Sequence, residues 1–320
     1  MRKVLIHIGR HKTGTTAIQN FLQDNRESLG QLGYVVPQSG RIKDAHHEFA
    51  RPFQPRNAHQ LEGVDDYRQL KPFKSLKNEL ALHDADSTAV ISSEGFQNSK
   101  PNMVRAGFKD YQAQIVVYLR SQLEYLASSY AQRVHATQYT GSLQDFYRDV
   151  YQAGNHYASF LENWSEFFPN QLVVRRYRSS NVVEDFATSV LRVPVAHFRL
   201  RNAPSNPSLN SVVTLFKCEL NRRKPANMPP QLQIYPVLPK LNALFPAPKF
   251  TLPPEIVSDL VESSRDSDTE VASTYFGEHQ LFDYSNFPTH PGLPIRDIQF
   301  ETMYSTLLKL LEVADATAGR

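Results

Sequence analysis

Cysteine is almost absent from this chain, which carries a single one, Cys218, in 320 residues. An intramolecular disulfide is therefore impossible, and a cysteine-rich zinc site is excluded. Such sparse use of cysteine fits a protein of a reducing compartment.

Long hydrophobic runs and a strong charge of one sign are also missing. The first apolar run, Val4-Leu5-Ile6, ends at His7, which is too short for a signal-peptide core or a membrane span. We therefore expect a soluble, cytoplasmic protein with no membrane insertion. The 35 Lys+Arg and 32 Asp+Glu leave a net charge of +3, too weak to indicate a nucleic-acid partner.

Short continuous apolar runs, typical of buried strands, recur in the first 180 residues. Predicted strands lie at 3–8, 34–36, 88–93, 114–119 and 172–175. Helical patterns separate them at about 17–22, 74–84, 121–135, 142–152, 156–167 and 181–191. Alternation of this kind predicts an α/β fold with a central parallel sheet covered on both faces, a three-layer α/β/α arrangement.

Beyond residue 205 the pattern is helical, with predicted helices near 208–222, 255–276 and 297–313. We expect one domain over 1–320, with its core in 1–190 and a helical, proline-rich portion in 191–320. Two segments, 37–73 and 225–254, read as long irregular stretches, and the second contains nine prolines. Such stretches are either ligand-binding loops or tolerated surface insertions, and the sequence leaves both readings open.

The loop Gly9-Arg10-His11-Lys12-Thr13-Gly14-Thr15-Thr16 follows the first strand and opens the first helix. Its glycines allow a tight turn and close approach of a ligand, and the helix start offers unpaired N–H groups to an anion. The Lys12 charge and the threonine hydroxyls add to this P-loop-like phosphate cradle.

This loop differs from the Walker A pattern of nucleotide kinases. Gly9 and Gly14 have the Walker spacing, but Thr15 stands where that pattern has its lysine, and Lys12 comes two residues before Gly14. A kinase that binds Mg-ATP is therefore disfavoured, and it stays open together with a non-catalytic nucleotide binder.

The stretch from Ile6 to Thr16 resembles the 5′-phosphosulfate loop of sulfotransferases. Its Lys-Thr-Gly-Thr-Thr run is especially similar to the carbohydrate sulfotransferases of the heparan-sulfate type and their bacterial relatives. The resemblance implies 3′-phosphoadenosine 5′-phosphosulfate (PAPS) as sulfuryl donor and 3′-phosphoadenosine 5′-phosphate (PAP) as product. It implies that the donor is bound by Arg10, His11, Lys12, Thr13, Gly14, Thr15 and Thr16, with Lys12 at the oxygen that bridges phosphorus and sulfur.

Recognition of the 3′-phosphate requires a second cation. In the family it comes from an arginine that ends a strand and a serine eight residues later, and here Arg120 and Ser128 have this spacing. The neighbouring Ser129 is a second candidate for the hydroxyl. The resemblance further implies that Tyr177, which follows a later strand, contacts the adenine.

Transfer to a hydroxyl or amine needs a general base. Glu94 follows the strand 88–93 at the carboxyl edge of the sheet, where ligands bind in open α/β folds. In the carbohydrate branch a comparable glutamate is the base, so the acceptor is expected to be a glycan or a small hydroxylated compound. A cap on the following segment or a Mg²⁺ ligand would be alternative roles for Glu94.

Three other histidines are candidates for lesser roles. The tandem His46 and His47 could contact substrate, whereas His7, inside a buried strand, is expected to be a core residue. We expect in-line displacement that needs no metal, with Glu94 taking the acceptor proton and Lys12 neutralising the leaving phosphate.

Overall fold

The structure, a computed structural model, describes residues 1–10, 12–61, 63–151, 156–178, 180–201, 209–289 and 295–318. Five strands are β1 Lys3–His7, β2 Tyr34–Val35, β3 Thr88–Ser92, β4 Gln112–Leu119 and β5 Leu172–Arg176. The helices are α1 Thr15–Asp24, α2 Arg26–Gln31, α3 His47–Ala50, α4 Lys71–Leu80, α5 Pro101–Gly107, α6 Gln122–Ala136, α7 Leu143–Phe146, α8 Tyr157–Phe167, α9 Val182–Asp185, α10 Ser211–Arg223, α11 Gln231–Leu244, α12 Pro254–Phe276 and α13 Asp297–Ala318.

The five strands form one sheet in the order β2-β3-β1-β4-β5, and every pair is parallel. Ile6 pairs with Ile91 on one side and with Ile115 on the other, and all three are buried. Such runs are apolar on both faces because helices cover both sides of the sheet. The predicted α/β class with a central parallel sheet is confirmed.

The chain divides into two compact units. The sheet unit comprises Met1–Arg120 and Tyr157–Ser205, and the helical unit comprises Ser121–His156 and Asn206–Arg320. The predicted helices 121–135, 156–167 and 255–276 are confirmed to within one residue at each end. The single domain with its core in 1–190 stays a prediction.

No helix in the parts of the chain that the structure describes is long and apolar enough to cross a membrane.

The segment 37–73 was predicted to be irregular, and this prediction is wrong. It contains α3 and three short 3-10 turns, and it ends in the first turn of α4. An aromatic cluster fixes it to the sheet unit; its members are Phe49, Phe53, Phe73 and Phe108, with ring centroids 5.0–5.9 Å apart for the pairs in contact. All four side chains are buried, so the apolar contacts outweigh the polar surroundings that the sequence presents.

The proline-rich segment 225–254 was likewise expected to be irregular, but it contains α11. Pro236 and Pro239 lie inside this helix. Because Pro239 has no N–H to give to the carbonyl of Tyr235, that carbonyl accepts a bond of 3.0 Å from His135 Nε2 instead. Burial of one face of α11 in a cluster with α13, including Leu238 and Leu307, stabilises a helix that proline alone would break.

His46 joins the segment 37–73 to the sheet. Its backbone N–H donates to the carbonyl of Ser92 at 2.9 Å, and its Nδ1 accepts the Ser92 N–H at 3.1 Å. Its Nε2 therefore carries the hydrogen and donates to the carbonyl of Pro37 at 2.9 Å. Burial is the main cause that lowers the pKa of His46 from 6.5 to about 4.

This burial predicts an acid-sensitive fold. Between pH 6.5 and about 4, His46 binds a proton in the unfolded chain but stays neutral in the folded chain. The free energy of unfolding therefore falls as the pH falls through this window. The shift corresponds to about 3 kcal/mol of unfolding free energy. Urea unfolding at pH 7, 5.5 and 4 should show a smaller loss for His46→Gln than for wild type.

The exposed His83 provides the matched control, since His83→Gln should keep the wild-type pH dependence. An identical loss of unfolding free energy in wild type and His46→Gln would contradict the assignment.

Candidate active site

Three segments that follow neighbouring strands meet at one edge of the sheet. Since β3, β1 and β4 are adjacent and parallel, their carboxyl ends lie at the same edge. The loop 8–14 leaves β1 at the centre, Glu94 comes two residues after β3, and Arg120 follows β4 directly. The sheet thus places the loop that carries Lys12 between the segment that carries Glu94 and the segment that carries Arg120.

The loop after β1 is held in a strained, compact shape. Lys12 has φ 66° and Gly14 has φ 74°, both in the left-handed region. A Cβ on Gly14 would lie 2.8 Å from Val182 Cγ1 and 2.9 Å from Tyr177 Cε2, so only glycine fits there. The hydroxyls of Thr13 and Thr15 donate to the carbonyl of Arg10 at 2.7 and 3.3 Å. These two predicted donors thus brace the loop itself.

The N-terminus of α1 is left open toward this edge. Its N-cap is Gly14, no side chain caps it, and its first turn contains no acidic residue. The first N–H groups of a helix have no intrahelical acceptor and carry the positive end of the helix dipole. Thr16, in this first turn, has an exposed side chain. The arrangement favours an anion.

Lys12 is the half-buried cation of this loop. Among the described residues no acceptor or carboxylate pairs with its ammonium group. Burial first, and the positive charge of Arg120 second, lower its pKa below the ordinary value. Such an ammonium group is poorly solvated and gains from a bound anion.

Arg120 links the ends of β1 and β4. Its Nη1 donates to the carbonyl of Lys12 at 3.0 Å, which supports the left-handed backbone there. Its guanidinium lies 5.3 Å from the ring centroid of Tyr177. The hydroxyl of the buried Tyr157 donates to the Arg120 carbonyl at 2.6 Å. The position of Arg120 is therefore fixed by bonds to its side chain and to its backbone.

Arg10 points into the aromatic surface of α8. Its guanidinium lies 4.8 Å from the ring centroids of both Tyr157 and Phe160, and the residue is 6% exposed. Contacts of this kind are typical of cation–π packing. The structure therefore gives the Arg10 side chain a role in anchoring the loop, and direct donor contact by Arg10 stays a prediction.

Glu94 begins the short 3-10 turn after β3. Its Oε2 accepts a hydrogen bond of 3.0 Å from Gln19 Nε2, and its Oε1 lies 3.8 Å from His47 Nε2. His47 Nδ1 lies 2.8 Å from Ser93 Oγ. No lysine or arginine in the described part of the chain pairs with this carboxylate. Glu94 and His47 are each about one-third exposed, so a ligand can reach both.

The structure separates the two candidate histidines. His46 is 1% exposed with both ring nitrogens engaged, as described above, whereas His47 is about one-third exposed; contact of His47 with a substrate stays a prediction. The prediction that His7 is a core residue is confirmed: it is fully buried, and burial lowers its pKa to about 3. The candidate His11 lies outside the described residues.

Ser128 and its neighbour Ser129 lie on α6 in the helical unit. The Ser128 hydroxyl donates to the carbonyl of Tyr125 at 3.1 Å, a bond within its own helix. Its contact with a 3′-phosphate stays a prediction.

No group of three metal-ligating side chains occurs among the residues that the structure describes.

Sequence reasoning missed Gln19, Ser93 and Tyr157. Gln19 lies one turn into α1 on a buried position, where an apolar residue is usual. This polar residue on the inner helix face was a usable signal. The sequence contains no such signal for Ser93 or Tyr157, because their hydrogen-bond partners, His47 and Arg120, are 46 and 37 residues away in the chain.

No protein-family model matches the sequence, and no curated protein matches it significantly. A sulfotransferase from Alicyclobacillus acidocaldarius is structurally similar, with 13% identity, a TM-score of 0.45, and coverage of 86% of this chain and 96% of that chain. A retinol dehydratase, solved with androsterone and the inactive cofactor PAP, has 11% identity, a TM-score of 0.27, and coverage of 97% and 81%. Both scores are too low to indicate what this chain binds.

The contacts of Lys12 predict how its pKa responds to substitution. Arg120→Gln removes a neighbouring positive charge, so the pKa of Lys12 should rise while burial keeps it below the ordinary value. NMR titration of ¹³C-dimethylated lysines measures this directly. Arg68→Gln, which removes a partly exposed arginine paired with Asp66 and Asp110, should leave the Lys12 titration unchanged. An unchanged pKa in Arg120→Gln would contradict the described proximity.

Proposed function

We propose that this protein is a PAPS-dependent sulfotransferase that transfers a sulfuryl group to a hydroxyl, or an amine, of a carbohydrate-like acceptor. The observation that carries the proposal is that the loop with Lys12, whose ammonium group has no partner among the described residues, lies between the segments that carry Arg120 and Glu94 at one sheet edge. An anion site and a candidate base on adjacent strands are what transfer from an anionic donor to a neutral nucleophile requires.

The residues present fit the anionic donor. Among the described residues no side chain caps the start of α1 and no acceptor pairs with the Lys12 ammonium group, and both are suited to the 5′-phosphosulfate. The guanidinium of Arg120 presents a planar set of N–H donors at this edge of the sheet, and it serves the 3′-phosphate. Tyr177, beside Gly14 and Arg120, presents a ring for the adenine.

Lys12 and Glu94 have separate roles in the reaction: Glu94 takes the proton, and Lys12 stabilises the leaving phosphate. Glu94 accepts the acceptor's proton while a lone pair of the acceptor oxygen or nitrogen forms the new bond to sulfur. The bond between sulfur and the bridging oxygen breaks, its electron pair stays on that oxygen, and Lys12 stabilises the resulting phosphate charge. PAP leaves as the anion, and the proton remains on Glu94 until solvent removes it.

The surroundings of Glu94 suit a base. A carboxylate paired with arginine is a poor proton acceptor, because the pair stabilises its charged form. Glu94 instead faces the neutral amide of Gln19 and the imidazole of His47. Its orientation is fixed without a permanent cation.

Nucleotide binding tests the donor. Calorimetric titration should show that PAP binds more tightly than ADP or Mg-ATP, because Arg120 recognises the 3′-phosphate. Loss of a charge-assisted hydrogen bond to phosphate costs about 1.5–3 kcal/mol, so Arg120→Ala should weaken PAP binding about 10- to 100-fold.

The same titration with ADP is the matched comparison, since ADP lacks the 3′-phosphate and should lose less affinity in Arg120→Ala. Preference for Mg-ATP, with no effect of Arg120→Ala, would overturn the sulfotransferase proposal in favour of a kinase.

Substitution of the base tests the catalytic assignment. Glu94→Gln keeps the shape of the side chain but cannot take the proton, so kcat should fall roughly 10²- to 10⁴-fold with PAP affinity unchanged. Release of PAP from PAPS measures the rate. Glu48→Gln alters an exposed neighbour of His47 and is the matched control. Near-wild-type turnover in Glu94→Gln would remove Glu94 from the mechanism.

A further inference from the structure

The hydrogen position on His47 follows from its neighbour Ser93. Ser93 Oγ accepts the N–H of Gly95 at 3.1 Å as the cap of the turn that Glu94 begins. Ser93 is fully buried, and among the described residues the acceptor that its O–H reaches is His47 Nδ1, 2.8 Å away, so the O–H donates there. A neutral imidazole that accepts at Nδ1 carries its hydrogen on Nε2. His47 therefore presents an N–H donor toward Glu94.

This donor and the carboxylate leave a gap between them. His47 Nε2 and Glu94 Oε1 are 3.8 Å apart, too far for a direct hydrogen bond. The other carboxylate oxygen, Oε2, is held by Gln19. A single oxygen atom about 2.8 Å from each of the two facing atoms can bridge them. The donor faces an acceptor, so the bridging group must itself both accept and donate.

We infer that the acceptor hydroxyl occupies this bridge and that the pair His47–Glu94 selects hydroxyls over amines. The inference rests on the proposed sulfotransferase function. It chooses between a hydroxyl and an amine as the acceptor group, which that proposal leaves open. The hydroxyl oxygen accepts from His47 Nε2–H and donates its hydrogen to Glu94 Oε1.

The preference for hydroxyls over amines follows from the number of lone pairs on the attacking atom. A hydroxyl oxygen has two lone pairs, so one accepts from His47 while the other attacks sulfur. A neutral amine has one lone pair, which must attack, so nothing remains to accept the His47 N–H. In the transfer, the O–H bond breaks toward Glu94, the oxygen–sulfur bond forms, and the bond from sulfur to the leaving phosphate breaks. An amine in the same place would leave the half-buried N–H of His47 without a partner, which is costly.

The imidazole state can be measured without any acceptor. Long-range ¹H–¹⁵N NMR of the full chain with PAP should show His47 with its hydrogen on Nε2. Ser93→Ala should shift hydrogen to Nδ1, whereas Ser92→Ala, which removes the hydroxyl beside His7, should leave His47 unchanged. A wild-type His47 with its hydrogen on Nδ1 would overturn the inference.

Product analysis tests the selectivity. A β-1,4-linked glucosamine pentamer offers a free amine and hydroxyls on each ring. At low pH, nitrous acid releases the sulfate of N-sulfamates as inorganic sulfate and leaves O-sulfates on the sugar, so the fate of the transferred sulfate separates the two products. Wild type should form only O-sulfate from PAPS, and a majority of N-sulfamate would contradict the lone-pair argument.

PAP release from PAPS with water as acceptor provides a rate for every variant, whether or not the pentamer is used. Misplacement of the nucleophile should slow His47→Leu about 10- to 100-fold with PAP affinity unchanged. His47→Gln, whose amide can still donate, should recover part of the loss. A wild-type rate in His47→Leu would overturn the role of His47.

The two proposals fail in different ways. A protein that neither binds PAP nor releases it from PAPS would refute the sulfotransferase function. A protein that does both and depends on Glu94, but not on His47, would refute only the present inference.

Discussion

The parallel pairing of β1 with both β3 and β4 is the constraint on which the site depends. Three chain segments far apart in sequence follow strands that lie side by side, so their functional groups meet at one edge. The register fixes this further, because His7, at the end of β1, pairs with Ser92 and with Val116. A slip of one strand by one residue would turn its buried side chains to the opposite face. The core and the site are therefore specified by the same contacts.

The loop after β1 stores backbone strain that its neighbours offset. The left-handed Lys12 is supported by the bond from Arg120 to its carbonyl, and Arg120 is itself held by Tyr157. Strained residues of this kind persist only where surrounding contacts over-determine them. Here the supporting contacts come from the cationic group on the next strand, so loop shape and charge placement are coupled.

Much of the sheet unit was predictable because its strands are continuous apolar runs and its loop has a distinctive glycine pattern. The expectation for Glu94 followed from the general rule that ligands bind at the carboxyl ends of parallel strands, whereas that for Arg120 followed from the resemblance to sulfotransferases. The segment 37–73 was misjudged because its three phenylalanines are spread among polar residues, and only the tertiary structure brings their rings together with that of Phe108. The helix α11 was missed because proline lowers local helix propensity, whereas burial against α13 decides the outcome.

Within the site, the types of residue were easier to predict than their contacts. The sequence identified Lys12 and Glu94, but not the support that Gln19 and Ser93 give to the carboxylate and the imidazole. It also assigned Thr13 and Thr15 as donors to a ligand, although their hydroxyls bond to the chain itself. Hydrogen bonds over long chain separations depend on the assembled sheet, and spacing within one segment does not reveal them.

The internal bracing of the loop has a kinetic consequence. Because the Thr13 and Thr15 hydroxyls and the stacked Arg10 brace the cradle by contacts within the chain, we expect binding to impose little cost in chain ordering. Under the proposed function, the donor and the product nucleotide share the 5′-phosphate that this cradle would bind. Under the proposed function, spent nucleotide would therefore compete with fresh donor, and turnover in a cell would depend on how fast the spent form is removed.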